Sequence, residues 1–154
     1  MTTPAAQAAA PKAVPVAKVV KQAKKKSWAQ RQKTAQKALK AAHGKKGKPY
    51  RYGAAGPNSF DCSGLVQWSY RKAGVKLPRV TTAQYRAVRN KVKWSSLAPG
   101  DLVFFHGKGH VGLVSKRKGK KIYMIHAPSS GSHVKVVLLN SYRKKTFSGA
   151  VRPY

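Results

Sequence analysis

One cysteine limits what this chain can become. Cys62 is the only one among 154 residues, so no internal disulfide can tie the fold together. Nor can a Cys-x-x-Cys pair hold a metal or run redox chemistry. Such a thiol is buried and inert, exposed by accident, or a nucleophile, and burial is the commonest fate of a free cysteine. Its flanks favour the third option. Gly53, Gly56, Pro57, Asn58 and Ser59 make a turn-rich run. It ends where Leu65, Val66, Tyr70 and Ala73 begin to fall on one side of a helical period, which Gly74 closes. Cys62 therefore belongs in the first turn of a helix, where unpaired N–H groups and the helix dipole favour a thiolate.

The rest of the chain has to supply a core unaided, and a hydrophobic content of 42% is enough for one domain of this length. Charge is the unusual feature. Lys and Arg number 33 against two acidic residues, Asp61 and Asp101, for a net charge of +31. The excess is not confined to one end: 13 of the basic residues lie in 1–49 and 20 in 50–154. A chain of this kind adheres to polyanions, whether nucleic acid, anionic lipid or acidic wall polymer. No segment approaches the roughly 18 consecutive apolar residues of a membrane span. The N-terminus has no basic stretch followed by an apolar one, so no secretory signal is visible.

Residues 1–26, rich in Ala, Pro, Val and Lys, read as a disordered basic arm, with the folded domain at 27–154. Ser27 is placed to cap a helix to about Ala42, with Trp28, Ala35, Leu39 and Ala42 on its apolar face. Thr81 and Gln84 match a capping box opening a short helix to about Arg89. From Asp101 the pattern changes to strands: Leu102–His106, Val111–Ser115, Lys121–His126, His133–Leu139 and Gly149–Arg152. Helices first and short antiparallel strands after is the α+β pattern.

A thiolate nucleophile needs a base, usually histidine, and something to orient that base. Of the five histidines, two fall on one expected hairpin. A three-residue loop Arg117-Lys118-Gly119 sets His110 directly opposite His126, as cross-strand neighbours. A two-residue Lys118-Gly119 loop shifts the pairing by one and points the two rings oppositely. His43, His106 and His133 read as surface or structural, and Trp28, Trp68 and Trp94 as core or interface anchors. No zinc spacing involves Cys62, so no metal is expected.

Pro49-Tyr50-Arg51-Tyr52-Gly53 and Phe60-Asp61-Cys62-Ser63-Gly64-Leu65-Val66 resemble motifs of the NlpC-type cysteine peptidases, which cut bacterial peptidoglycan stem peptides. So do Leu77-Pro78-Arg79, Pro99-Gly100-Asp101-Leu102-Val103-Phe104-Phe105, Gly109-His110-Val111-Gly112 and Ile125-His126-Ala127-Pro128. The resemblance runs in order from about Ala35 to Tyr154. It implies a minimal papain-like fold, the cysteine helix packed on a five-to-six-stranded antiparallel sheet. It implies Cys62 as nucleophile, His110 as general base, His126 as the third polar residue and Tyr50 beside the reacting carbonyl. Asp61 and Ser63 match positions near which such enzymes receive a free amino end of the stem. The family's usual bond joins D-glutamate to diaminopimelate or lysine. It implies no cofactor, and it implies action outside the cytoplasmic membrane, by a secreted or phage- or injection-delivered protein. A monomer is expected outside such an assembly. Ala54-Ala55 stands where relatives often carry Gly-Gly.

Two other readings share the residues. A catalytically idle polycation on nucleic acid or membrane would need only the charge, which is non-specific and salt-dependent. An amidase or acyltransferase on the same fold would share Cys62 and His110.

Overall fold

The structure, a computed structural model, describes residues 26–154, so the expected arm lies outside the described residues apart from Lys26. The compact unit that carries the candidate site runs from Gln32 to Tyr154. Among the described residues no helix is long and apolar enough to cross a membrane.

The elements follow in the order α1 (Trp28–His43), α2 (Cys62–Lys72), α3 (Thr81–Ala87), β1 (Lys91–Val92), β2 (Leu102–Phe105), β3 (His110–Lys118), β4 (Lys121–His126), β5 (Lys135–Leu138), α4 (Ser141–Thr146) and β6 (Phe147–Val151). The six strands form one antiparallel sheet in the order β1-β6-β2-β3-β4-β5. This is an α+β fold with the cysteine helix laid on the sheet. All four side chains of β2 are buried because both faces of the sheet are covered. Leu102 and Phe104 join Leu65, Val66 and Tyr70 of α2, with Val111, Leu113 and Ile125. Val103 and Phe105 join Val114, Ile122 and Met124 on the opposite face, closed by Trp94 and Phe147. Alternation along each strand thus feeds two cores.

Several local expectations are corrected. A reciprocal capping pair does occur, but at Ser27 and Gln30, each side chain bonding the other's backbone N–H. Thr81 is not a cap: Val80 occupies that position and makes no side-chain bond. Gln84 is instead fully buried, its amide donating to the carbonyls of Ser63 and Pro78, and α3 stops at Ala87. Trp28 is 49% exposed, since the buried stripe of α1 begins about two turns later at Ala35.

The hairpin register differs from both versions read from the sequence. The turn closes at Lys118 opposite Lys121, around Gly119-Lys120, and the pairing slips by one residue between Val114 and Lys116. Ser115 is the extra residue of this bulge. Without it His126 would pair with Leu113 and face α2; with it His126 comes opposite Gly112, on the face that His110 shares. His110 and His126 are diagonal neighbours rather than directly opposed.

Candidate active site

Cys62 is the first residue of α2, and Asp61 is its N-cap, accepting from the Gly64 amide at 2.7 Å. The approach to it is clamped on two sides. Tyr50 N–H donates to Ser132 O, while Arg51 N–H donates to Phe60 O and Asp61 N–H to Ala54 O. Residues 49–51 are thereby held between the His133 segment and the strand-like entry to the helix, which brings Tyr50 alongside Cys62. A Cβ on Gly64 would lie 2.1 Å from Ala54 O, so only glycine lets this loop close onto the helix.

Tyr50, Asp61, Cys62, Ser63, Arg79 and Gly109 line one open pocket of about 380 Å³. The residues on either side of His110 both reach Cys62: Gly109 shares its pocket, and the Val111 amide points at its sulfur. His110 Nε2 lies 2.8 Å from His126 Nδ1, the rings meeting edge-on with centroids 5.0 Å apart. Gly112 makes room for them, since a Cβ there would come 3.2 Å from the Cβ of His126 and 2.7 Å from Met124 Sδ. Tyr50 and Cys62 thus line one pocket, and the bonded pair His110 and His126 begins at the strand residue next to Gly109 on its rim.

The electrostatics depart from a simple thiolate at a helix start. Burial pushes the Cys62 thiol up, Asp61 adds to that, and the amides of Val111, Ser63 and Cys62 itself recover only part of the shift. His110 is pushed down to about 4 by burial, then by the charges of Arg143 and His106. His126 is pushed down to about 3 by burial, then by His110, Arg143 and Lys135. These shifts favour the neutral thiol at Cys62 and neutral imidazoles at His110 and His126. Tyr50 is raised by burial and by its neighbours Cys62 and Asp61, so its hydroxyl keeps its proton as a donor.

Arg79 carried no assigned role in the sequence reading, although it stands in the Leu77-Pro78-Arg79 motif. It forms a two-pronged ion pair with Asp61 at 3.0 and 2.8 Å and also donates to Ser63 Oγ and Ala54 O. Burial tends to raise the Asp61 carboxyl, but Arg79 and the Gly64 and Gly53 amides outweigh it and hold the group below its ordinary range. Asp61 and Ser63 thus reach the pocket with their oxygens already engaged. A second ion pair joins the buried Asp101 to Arg152 and holds the Pro99-Gly100-Asp101 turn to the residue after the C-terminal strand. His43 bonds Ser115 Oγ at 2.8 Å, and His106 lies 3.3 Å from Tyr142 Oη; neither lines the pocket.

The NlpC/P60 family matches residues 47–152. A probable endopeptidase of Corynebacterium glutamicum is 47% identical over 83 residues, covering 53% of this chain and 39% of that protein. The bifunctional muramidase/DL-endopeptidase CwlT of Bacillus subtilis is 47% identical over 70 residues, 45% of this chain and 21% of that one. The chain therefore spans about two fifths or less of these relatives' length. Among solved structures, an NLP/P60 lipoprotein-like protein of Staphylococcus aureus superposes with a TM-score of 0.67 at 35% identity, covering 79% of this chain and 41% of that one. The peptidoglycan hydrolase RipB of Mycobacterium tuberculosis gives 0.69 at 26% identity, covering 82% and 68%. With its motifs in order, the family model matched over residues 47–152 and its sheet shared with these structures, the chain belongs to the NlpC/P60 family.

Proposed function

We propose that the chain is a peptidoglycan hydrolase, a cysteine endopeptidase that cuts an amide bond of the stem peptide, of the type joining D-glutamate to diaminopimelate or lysine. The observation that carries this reading is a single thiol at the head of α2, bracketed by the two neighbours of His110, whose imidazole is bonded to His126. The similarity to proteins named endopeptidase and peptidoglycan hydrolase supports the same chemistry.

Cys62 is the nucleophile and His110 the base. With Nε2 of His110 donating to His126, its Nδ1 is left to accept the thiol proton as Sγ attacks the amide carbonyl. The developing oxyanion takes the Cys62 N–H and the Tyr50 O–H; losing one such donor typically costs about 10²–10³ in rate. The C–N bond then breaks, His110 gives its proton to the leaving amine, and water, deprotonated by His110, resolves the thioester to a free acid and the thiol. Asp61 and Ser63, tied to Arg79, form the wall at which the amino end of the stem arrives. The basic surface holds the enzyme on acidic wall polymer, outside the cytoplasmic membrane.

Mass spectrometry of the products released from purified peptidoglycan tests this directly. New amino and carboxyl ends within the stem are expected, and Cys62→Ala should abolish them while leaving adsorption to the wall. Equal lysis by Cys62→Ala would instead mark the chain as a disruptive polycation.

A further inference from the structure

A second concave surface lies between α1 and the cysteine helix. Lys37 and Lys40 of α1, Lys45 of the following loop and Lys72 of α2 surround Trp68 in a groove of about 450 Å³. Trp68 is six residues beyond Cys62, about 9 Å along the same helix. Its ring is fixed by an edge-on contact with Phe60, centroids 5.5 Å apart, and by the backbone of Gly56, where a Cβ would sit 2.7 Å from the indole. The ring in turn draws in two ammonium groups, Lys45 at 5.1 Å and Lys72 at 5.3 Å from its centroid.

Four like charges in one concavity repel one another, and the chain supplies no acidic side chain to offset them. It has only two, and Asp61 is paired with Arg79 and Asp101 with Arg152. An external polyanion is the natural counter-charge. Single-stranded nucleic acid draws much of its affinity from bases stacking on aromatic faces. Here the only aromatic ring is already engaged by ammonium groups and by Phe60, so stacking has no free platform. A membrane surface would need a set of large apolar side chains to insert, and apart from Trp68 the lining is Lys, Ala and Gly.

We infer that this groove is the docking site for an anionic polyol-phosphate chain of the wall, whose successive phosphates meet Lys37, Lys40, Lys45 and Lys72. The choice of polymer rests on the wall-hydrolase reading above; the charge complementarity does not. Docking here sets the polymer beside the loop that leads into Cys62, so the enzyme is held with its pocket near the wall.

The test uses the full chain carrying Cys62→Ala, titrated with poly(glycerol phosphate) and with a single-stranded DNA oligonucleotide at low and moderate salt. One variant changes Lys37, Lys40, Lys45 and Lys72 to Gln. A charge-matched control changes the exposed Lys93, Lys118, Lys120 and Lys121 to Gln. Because each lost phosphate contact lowers both the affinity and its salt dependence, the groove variant should bind poly(glycerol phosphate) at least about tenfold more weakly, with a shallower salt slope. The control should stay within about threefold under the same rule. Thermal melting of both variants checks that they are folded. Equal losses in the two variants would overturn the inference in favour of diffuse charge. DNA binding that is tighter than polymer binding and is lost in the groove variant would overturn it in favour of nucleic acid. Hydrolysis of a soluble stem peptide, measured with Cys62 restored, separates the two readings. Intact hydrolysis without groove-dependent binding removes the groove alone, and groove-dependent binding without hydrolysis removes the hydrolase alone.

Discussion

His110 Nε2 and His126 Nδ1 lie 2.8 Å apart, and the outer nitrogen of His126 is buried without a hydrogen-bond partner. If His110 keeps Nδ1 as an acceptor for the thiol proton, its Nε2 carries the hydrogen and His126 accepts. The remaining proton of His126 then sits on the unpartnered Nε2. This orders both tautomers without an acid, in surroundings where the permanently charged neighbours that act on the pair, Arg143 and Lys135, are cationic.

The pair makes stability depend on pH in a definite direction. Both folded values, about 4 and about 3, lie below the ordinary 6.5, so between them the unfolded chain binds more protons. The stabilisation is complete above about pH 6.5 and is lost as pH falls towards about 3. The two rings titrate as a unit, so the loss belongs to the pair. Melting temperature should drop between pH 6.5 and 4 in the native chain and drop less in His126→Gln. Parallel curves would refute the buried neutral pair.

The thiol leads to a second expectation. Burial raises Cys62 above its ordinary value while His110 is lowered, so the free protein holds little thiolate at neutral pH. Alkylation of Cys62 by iodoacetamide should be slow at pH 6 and climb into the alkaline range, because the thiolate is the reacting form. A rate already on its plateau near pH 6 would show a preformed thiolate–imidazolium pair.

Gly64 offers a steric test of how the nucleophile is placed. A Cβ there would meet the Ala54 carbonyl at 2.1 Å, and that carbonyl also accepts from the Asp61 amide and from Arg79. Gly64→Ala must push the loop off the helix, and overpacking of this kind typically costs about 1–3 kcal/mol. Gly44→Ala, with its nearest contact at 3.4 Å, serves as the control and should be near neutral. Urea denaturation of the two variants decides it; equal midpoints would mean that the loop yields freely.

Strand positions and the cysteine helix were legible because their cause is local. The Leu102–Phe105 and Lys121–His126 patterns and the run from Leu65 to Tyr70 each specify an element on their own. What escaped depends on distant partners. Gln84 looks like half of a capping box, yet it is drawn inward because the Ser63 and Pro78 carbonyls need a donor. α4 was missed because Ser141-Tyr142-Arg143-Lys144-Lys145-Thr146 has no apolar period, although Asn140 caps it and could have announced it. Arg79 was visible only as part of a motif; nothing in its own neighbours pairs it with Asp61, 18 residues away. The bulge at Ser115 left no mark either, so the facing of His126 could not be fixed from the turn alone.

That bulge has a support in α1. His43, in the last turn of the helix, bonds the hydroxyl of Ser115 at 2.8 Å, at the residue whose insertion turns His126 onto the face of His110. Burial, then the charge of Lys46, lowers His43, so at neutral pH the bond is between uncharged groups. Removing a hydrogen bond of this kind costs roughly 1 kcal/mol. Ser115→Ala and His43→Ala should each lower stability by about that amount, and because they remove one contact the double variant should lose little more than either single one. If the bond also fixes the strand register, kcat on a soluble stem peptide should fall about tenfold with KM unchanged, since sub-ångström misplacement of a catalytic group is felt at the reacting bond. A loss of stability with kcat intact would confine this pair to holding the helix on the sheet. Additive losses in the double variant would show that the two side chains act apart.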